Sequence, residues 1–518
     1  MRRILLFLIF LIFQLSLVAQ KNNVVCSDGL FRSTPEAEGV KSEGILKFIE
    51  SVETCNMELH SFMLLRHGKV VTEGWWNPYQ PDMRHIMYSV SKTYTSTAVG
   101  FAIAEKRLSL DDKVISFFPE YSECPINSFV KSLTVRNLLN MSAGEEPFTD
   151  FRLRDVDWIK AFLCANQDPL KVNKFTYNSY AAYLMSAILQ RVTGSTLLDY
   201  LQPRLFDPLQ MKDVASEQSP AGIVCGGWGM SIRTADMAKL GQLYLQKGKW
   251  NGRQLLPASW IEEAIKAQIE NGTSLTDAEK AKSDWAQGYG YYLWRCQHNA
   301  YRADGSYGQC IIVMPDQDAV LAITANVNDM QKELQQVWEH ILPAFVSNKL
   351  PENRKAYNAL TQKLKTLELP SPFKTKSEIK KDNFSKIYAM ESNDLGIRNI
   401  ALKQKDNLCY LTIRTNSATH NFVCGNNLWR YSETNKNSPY YNAIYRNPIG
   451  LSPFAVAGNY IWTDSENMCL KLIFIEDSSN ENYHITFDKK RIIVLVTNSE
   501  ASESLPIRMV GNLETEFD

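Results

Sequence analysis

Two predicted β-hairpins lie far apart in this sequence, and they constrain its fold more than any other feature. Residues 61–65 and 70–73 are strand-like segments on either side of a short polar turn, and so are the apolar runs 310–314 and 319–325. The chain between the hairpins has a mainly helical pattern, clearest over residues 180–193, which are apolar along one face. The pattern therefore predicts an α/β domain: an antiparallel sheet built from both ends, flanked by helices, with a helical insert and a cleft where the parts meet.

The chain changes character near Asn348. Residues 349–383 are rich in Lys, Glu, Pro and Ser, and from Phe384 onward short apolar or alternating runs are separated by Asn, Ser, Asp and Gly. A chain of 518 residues is also long enough for two or three domains. We predict the α/β domain over residues 27–348, a connector over 349–383 and a separate β-rich domain, a sandwich or a barrel, over 384–518.

The first residues predict export. Arg2 and Arg3 precede an apolar stretch over residues 4–13, and Ala19 is followed by polar residues. This is the pattern of a signal peptide, here residues 1–19, and it predicts a periplasmic or secreted protein with no stable membrane span after cleavage. An uncleaved N-terminal anchor is the alternative, although the apolar run is short beside the roughly 20 residues that a spanning helix needs.

Composition argues against several classes of partner. Lys and Arg together number 56, as do Asp and Glu, and no basic stripe stands out, so we expect no nucleic-acid partner. The sequence has seven histidines and contains neither C-x-x-C nor H-E-x-x-H, so we expect no metal. Ten cysteines are scattered without a disulfide framework, and Cys310 and Cys469 lie in strand-like runs where buried free thiols are expected. The oligomeric state stays open.

Ser89 and Lys92 form the strongest chemical pattern. They lie three residues apart at the start of a predicted helix, which places both side chains on one face, about one turn apart. An amine whose pKa is lowered by burial can take the proton of a serine and make it a nucleophile. The helix N-terminus offers N–H groups for an anionic intermediate. An ordinary helix start with Ser89 as the N-cap would show the same spacing.

Tyr177 and Ser179 come just before the predicted helix 180–193. A phenol and a short polar side chain at this junction could face the cleft, and Tyr177 could assist proton transfer. The alternative is a buried tyrosine beside a helix that Asn178 or Ser179 caps.

Two glycine-containing segments are candidate walls of the cleft. The N–H of Ser306, in the segment 303–309, could pair with that of Ser89 as an oxyanion hole. A simple glycine turn is the alternative there, and in the segment 226–231 Trp228 either lines a pocket or packs the insert. The candidate substrate-binding residues are Ser179, Trp228, Gly305, Tyr307, Gly308 and Gln309.

Together these segments resemble the serine β-lactamase-like superfamily, which includes class C β-lactamases, penicillin-binding DD-peptidases and related esterases and amide hydrolases. The resemblance covers residues 38–342 and rests on Ser89-x-x-Lys92, on Tyr177-Asn178-Ser179 and on Ala303-Asp304-Gly305. Further matching stretches are residues 96–100, 108–114, 118–120, 138–144, 241–245 and 256–261. It implies Ser89 as the nucleophile of an acyl-enzyme, Lys92 and Tyr177 as proton carriers, an oxyanion hole at Ser89 and Ser306, and no metal or organic cofactor.

The departures from the family pattern bear on the substrate. Ala303 stands where β-lactamases have a cationic residue, and the form of residues 305–309 is more similar to the branch of 6-aminohexanoate-dimer hydrolases and related esterases. Ser179 stands where many members have Asn. The resemblance therefore implies a hydrolase of small-molecule or peptide-like esters or amides. A DD-peptidase or D-amino-acid amidase and a non-catalytic binder of cell-wall fragments are the alternatives.

Overall fold

The computed structural model describes residues 27–146, 156–165, 173–369, 382–438, 454–499 and 505–517. The predicted signal peptide, residues 1–19, lies outside these ranges, and so do residues 370–381 of the predicted connector. In chain order the strands are β1 Phe31–Arg32, β2 Glu58–Arg66, β3 Lys69–Trp75, β4 His85–Ile86, β5 Ala215–Ser216, β6 Met230–Ile232, β7 Lys249–Trp250, β8 Arg253–Gln254, β9 Trp294–Arg295, β10 Tyr301–Gly305, β11 Gln309–Met314, β12 Ala319–Asn326, β13 Phe384–Met390, β14 Ile397–Lys405, β15 Leu408–Thr415, β16 Thr419–Asn426, β17 Arg430–Thr434, β18 Phe454–Trp462, β19 Asn467–Phe474, β20 Asn480–Asp488, β21 Arg491–Asn498 and β22 Ile507–Phe517.

The helices concentrate between β3 and β9, as the sequence predicts for an insert. The α-helices are Ser42–Thr54, Ser91–Ala104, Ser128–Ser132, Val135–Leu139, Trp158–Leu163, Ser179–Thr193, Leu197–Leu201, Thr234–Leu245, Ala258–Ile265, Asp277–Lys280, Met330–Gln336 and Arg354–Lys365. The predicted helix at 180–193 is confirmed: Asn178 caps its first turn, and it ends at Gly194, whose φ of 72° is left-handed. Within the described ranges, no helix has the length and apolar character that crossing a membrane requires.

The sheet of the α/β domain has the order β1-β3-β2-β12-β11-β10-β9. All its neighbours are antiparallel except β1 and β3, which run parallel at the edge. Both predicted hairpins, β2–β3 and β11–β12, are present, and β2 pairs with β12. The two ends of the domain therefore meet in the middle of one sheet, which confirms the predicted architecture.

Side chains alternate between the two faces of this sheet, and each face has its own core. Ile311, Val313 and Val320 join the core that includes the helices Ser91–Ala104 and Thr234–Leu245 and the insert. Ile312 and Leu321 point the other way, into the core that includes the helix Ser42–Thr54. Strands buried on both faces explain why β11 and β12 read as continuous apolar runs.

The C-terminal domain is a closed barrel among the described residues. Nine strands, β13 to β16 and β18 to β22, form it, because β16 pairs with β15 on one side and in parallel with β18 on the other. Strand β17 adds to the outside by pairing with the first half of β18. Alternation fills the interior, as in β14, where Ile400 and Leu402 are buried while Lys403 is exposed. Of the two predicted forms, sandwich or barrel, the barrel is present.

The barrel packs against the α/β domain through a shared apolar cluster. Trp429, Ile473 and Ile475 of the barrel belong to the same buried cluster as Trp76 and Tyr79 of the α/β domain. Because this contact removes apolar surface from water on both domains, it holds the barrel beside the strand-to-helix segment that carries Ser89.

The nine cysteines in the described part of the chain are all free thiols. Cys310 and Cys469 are buried, as expected from their strand-like surroundings. Burial raises the pKa of both thiols, which makes them poor nucleophiles.

Candidate active site

Ser89 lies in a single 3₁₀ turn, Tyr88–Val90, that leads directly into the helix Ser91–Ala104. Tyr88 has a φ of 44°, in the left-handed region that bulky residues seldom occupy. Its side chain is buried, while Ser89 is half-buried. The start of the helix therefore presents the Ser89 hydroxyl on a sharply bent backbone. A backbone of this conformation persists only when the surrounding structure holds it in place.

Lys92 is buried directly beside Ser89. Its Nζ atom lies 2.9 Å from Ser89 Oγ, donates to the carbonyl oxygen of Gly227 at 2.8 Å and lies 3.3 Å from Ser179 Oγ. Burial lowers the pKa of Lys92 to about 7, although the carboxylates of Glu146 and Asp304 act to raise it. An amine with that pKa is neutral in a large fraction of molecules near pH 7, so it can accept the proton of Ser89.

Tyr177 completes this cluster from the other side. The Lys92 ammonium position lies 4.8 Å from the centre of the Tyr177 ring, and that ring stacks on Trp294 with centroids 5.7 Å apart. Burial raises the pKa of the Tyr177 phenol, while a hydrogen bond with Ser89 acts to lower it. The phenol therefore stays protonated near neutral pH and is placed to donate a proton close to Ser89.

Asn178 and Ser179 have separate tasks. The Asn178 side chain accepts from Ala181 N at 2.9 Å and donates to the carbonyl oxygen of Gly144 at 2.9 Å, so it is the helix cap. Ser179 faces Lys92, and its backbone N–H donates to a carboxylate oxygen of Glu146. The structure thus combines the two interpretations of this segment: a capping residue and, next to it, a hydroxyl in the cleft.

The glycine segment 226–229 packs against the helix that carries Lys92. The sequence did not predict its main contribution, a backbone carbonyl that bonds Lys92. The carbonyl of Gly227 accepts from Lys92, and a Cβ atom at residue 227 would come within 2.8 Å of the carbonyl oxygen of Ser179. Trp228 itself is buried and packs on Trp158, with ring centroids 5.9 Å apart. The segment needs glycine for close approach, and Trp228 has the packing role that was the alternative to lining a pocket.

The hairpin that joins β10 to β11 passes the nucleophile at very short range. A Cβ atom at Gly305 would lie 2.3 Å from the carbonyl oxygen of Met87, two residues before Ser89. Ser306 is exposed at the tip of this hairpin, and the ring of Tyr307 packs edge-on against Tyr88 with centroids 5.4 Å apart. The contact brings the backbone of the two candidate oxyanion donors, Ser89 and Ser306, to the same part of the cleft.

Two of the candidate substrate-binding residues support the hairpin from beneath. Gln309 is fully buried, its amide donates to the carbonyl oxygens of Ser306 and Ala325, and its own oxygen accepts from Ala325 N at 3.1 Å. Gly308 has a φ of 87° and leaves no room for a Cβ atom beside Glu333. Gln309 thus holds the backbone of the hairpin, and its contact with substrate stays a prediction.

The segment 303–305 has no cation on the cleft side. Ala303 belongs to the core that contains the nucleophile helix, while Arg302 and Asp304 lie on the opposite face of β10 and pair at 2.7 Å. Arg302, the cationic residue next to Ala303 in sequence, is therefore already paired with the Asp304 carboxylate on the opposite face of the strand. A substrate carboxylate would find no counterpart at this position.

Comparisons with known proteins show which family and fold this chain resembles. The Beta-lactamase family model matches residues 52–344. The 6-aminohexanoate-dimer hydrolase of Paenarthrobacter ureafaciens is 24% identical over 292 residues, which are 52% of this chain and 72% of that protein. The structure of a putative 6-aminohexanoate-dimer hydrolase from Bacillus anthracis is similar in fold, with a TM-score of 0.50 and 20% identity, and covers 63% of this chain and 89% of its own. A putative β-lactamase from Bacteroides dorei has a TM-score of 0.50 and 15% identity, and covers 58% of this chain and 99% of its own.

Proposed function

The chain belongs to the Beta-lactamase family, and we propose that it is a serine hydrolase that cleaves an ester or amide bond through a covalent acyl-enzyme on Ser89. The observation that carries this proposal is the 2.9 Å contact between Lys92 Nζ and Ser89 Oγ, made by an amine whose pKa burial lowers to about 7. A nucleophile and a base in direct contact, both placed by one helix start, are what covalent catalysis by serine requires.

The contacts of Lys92 suit its neutral form. A neutral amine has two N–H groups and one lone pair, and the three oxygens around it belong to Gly227, Ser179 and Ser89. The Gly227 carbonyl can only accept, and Ser179 can accept the second N–H. The lone pair is then left for the Ser89 hydroxyl, whose proton passes to Lys92 as Ser89 Oγ bonds to the substrate carbonyl carbon.

The remaining steps use groups already in the cluster. The N–H groups of Ser89 and Ser306 stabilise the oxyanion of the tetrahedral intermediate, and the Tyr177 phenol passes a proton to the departing alcohol or amine. The phenolate recovers that proton from Lys92. Water then attacks the acyl group, gives up its proton along the same groups in reverse, and releases Ser89 and the acid.

The substrate class follows from what the cleft lacks. Ala303 offers no cation for a carboxylate, which argues against strong β-lactamase activity and favours an uncharged acyl group. The Paenarthrobacter ureafaciens relative is named for hydrolysing the 6-aminohexanoate dimer, a linear amide. We propose small-molecule or peptide-like esters and linear amides as substrates. We propose action outside the cytoplasm on the strength of residues 1–19.

Labelling with a fluorophosphonate probe tests the proposal. Wild type should be labelled at Ser89 and should turn over a p-nitrophenyl acyl ester, while Ser89→Ala should lose both. Ser186→Ala is the matched control, because this buried hydroxyl has no hydrogen-bond partner among the described residues. Absence of labelling with wild type would favour the non-catalytic binder. Turnover of D-Ala-D-Ala peptides in preference to esters and linear amides would favour the DD-peptidase.

A further inference from the structure

The barrel reaches the nucleophile through one turn, residues 476–479, which joins β19 to β20 and is called the barrel turn below. The backbone carbonyl of Glu476 accepts from Ile86 N at 2.8 Å, three residues before Ser89. The Glu476 carboxylate also pairs with Arg84 at 2.5 Å. The strand that leads into the nucleophile is therefore bound to the barrel by both a backbone bond and an ion pair.

The barrel turn also holds the residue directly before Ser89. The Tyr88 hydroxyl lies 2.6 Å from Ser478 Oγ and donates to Asp477 Oδ1 at 3.3 Å. All three side chains are buried, with 4% or less of their surface exposed. Asp477 is fixed in turn, because its Oδ1 accepts from Ser478 N at 2.7 Å and its Oδ2 accepts from Ser438 Oγ. A fully buried, interlinked polar cluster of this kind orients its members strongly.

Tyr88 is the residue for which such support matters most. Its φ of 44° is unfavourable for a bulky side chain, and its ring packs against Tyr307 of the hairpin that carries Ser306. The backbone of Ser89 begins where that of Tyr88 ends, and Ser306 directly precedes Tyr307. The phenol that the barrel turn holds therefore belongs to the residue before one candidate oxyanion donor and packs against the residue after the other.

We propose that the barrel turn is part of the active site, with Asp477 and Ser478 as positioning residues that act on Ser89 through Tyr88. The inference rests on the proposed function, since it concerns the placement of the same nucleophile. It assigns the barrel a task in catalysis, because the barrel provides two hydrogen-bond partners for the Tyr88 hydroxyl.

General adhesion between the domains is the alternative, and the structure offers a control for it. Tyr431 of the barrel donates to the carbonyl oxygen of Pro78 and accepts from Gln80 Nε2, a polar contact between the same two domains that does not involve Tyr88. Ser479 is a second control, because it lies in the barrel turn, is buried, and its hydroxyl has no hydrogen-bond partner among the described residues.

The experiment compares Tyr88→Phe and Ser478→Ala with Tyr431→Phe and Ser479→Ala in the full-length chain. The readouts are the rate of acylation by a fluorophosphonate, kcat and KM for a p-nitrophenyl ester, and the melting temperature. We expect Ser478→Ala, which removes one hydrogen bond of the Tyr88 hydroxyl, to slow acylation and kcat by about three- to tenfold, with KM changed less than about twofold. Tyr88→Phe also removes the bond to Asp477 and should slow both at least as much. The double variant should be no slower than Tyr88→Phe alone, because Tyr88→Phe already removes the bond to Ser478.

Three outcomes would overturn the inference. Acylation rates of Tyr88→Phe and Ser478→Ala that match those of wild type would show that the bond has no effect on Ser89. An equal slowing by Tyr431→Phe, with a lowered melting temperature, would show general adhesion instead. Multiplied effects in the double variant would show that the two residues act separately. Failure of wild type to be labelled at Ser89 would overturn the proposed function itself, which separates the two cases.

Discussion

Gly305 lies so close to Met87 that any side chain at position 305 would meet the Met87 carbonyl oxygen at 2.3 Å. Met87 is two residues before the nucleophile, and Gly305 directly precedes the candidate oxyanion donor Ser306. The backbones of these two segments are thus in close contact. A new side chain at position 305 would meet a backbone carbonyl, which cannot rotate aside as a side chain could.

Gly305→Ala should push the hairpin away from the nucleophile. A displacement of about 1 Å at a catalytic group reduces rates by roughly 100-fold, so we expect acylation by a fluorophosphonate to slow by about that factor. Since Lys92 stays bonded to Ser89, the residual reaction should keep its pH dependence. A circular dichroism spectrum and a melting curve check that the fold is retained; an acylation rate close to that of wild type would contradict the prediction.

Acylation should become faster as the pH rises through about 7. Only the neutral form of Lys92 can accept the Ser89 proton, and burial lowers the pKa of this amine to about 7. The fraction of neutral amine therefore increases with pH and levels off above the pKa. Acylation rates measured at a series of pH values between about 5.5 and 9 give this profile. The range extends about 1.5 units below the pKa of Lys92 and about 2 units above it.

Glu146→Gln should move this profile to lower pH. The carboxylate of Glu146 acts to raise the pKa of Lys92, against the lowering effect of burial. Removing this carboxylate should therefore lower the pKa of Lys92 further. The neighbouring Glu145→Gln is the matched control, because Glu145 is not among the groups that shift this pKa. A midpoint that moves equally in both variants, or moves to higher pH, would show that Glu146 does not act on Lys92.

Lys92→Met should abolish acylation and at the same time stabilise the fold. The folded pKa of Lys92 is lower than its usual value of 10.5, so between pH 7 and 10.5 the unfolded chain binds a proton that the folded chain does not. The free energy of unfolding of wild type therefore rises with pH across this range. We expect Lys92→Met to be more stable by about 1–3 kcal/mol at pH 7 or below, with a gain that shrinks towards pH 10.5. Urea unfolding at several pH values tests this.

Tyr177→Phe should lower kcat by about 10²- to 10⁴-fold, the usual size of a lost proton donor, while KM changes little. The phenylalanine keeps the stacking on Trp294, so the loss belongs to the hydroxyl. Tyr292→Phe is the control: this tyrosine is also buried, and its hydroxyl has no partner among the described residues. Steady-state kinetics of both variants with one ester substrate give the comparison.

Gln309→Leu should separate positioning from substrate contact. The buried amide bonds the carbonyls of Ser306 and Ala325, so its loss leaves these groups unpaired and should reduce the free energy of unfolding by about 2–4 kcal/mol. A positioning role predicts that kcat falls by a similar factor for every substrate in a panel of acyl esters. A change in KM that depends on the acyl group would instead support the assignment of Gln309 to substrate binding.

The fold and the contact between Ser89 and Lys92 were predictable because their signals are local. Each hairpin, the glycine that ends a helix at position 194 and the Ser89-x-x-Lys92 spacing is defined by residues only a few positions apart, so sequence patterns predict each of them. The resemblance to a known family then connected segments that no spacing argument could bring together. The contact between Lys92 and Tyr177, 85 residues apart by their numbering, is of this second kind.

Other parts of the site were not predictable, for two physical reasons. A sequence pattern does not say which side chain turns towards the core, so Gln309 and Trp228 were both candidate substrate-binding residues. In the structure Gln309 bonds the backbone and Trp228 packs in the core. Main-chain groups have no sequence signature, which hid the Gly227 carbonyl as a partner of Lys92. The barrel turn consists of one Glu, one Asp and two Ser, and Asp and Ser are common in any turn.

The bond between Tyr88 and Ser478 joins residues that are 390 positions apart. A chain that emerges from the ribosome N-terminus first can complete its α/β domain long before residue 478 exists. A part of the molecule that is synthesised well after the α/β domain therefore contains the group that fixes the residue beside the nucleophile. A nonsense mutation before codon 478, or proteolysis between the domains, would remove the barrel turn. The segment that carries Ser89 would then lose the hydrogen bond that Tyr88 makes to Ser478.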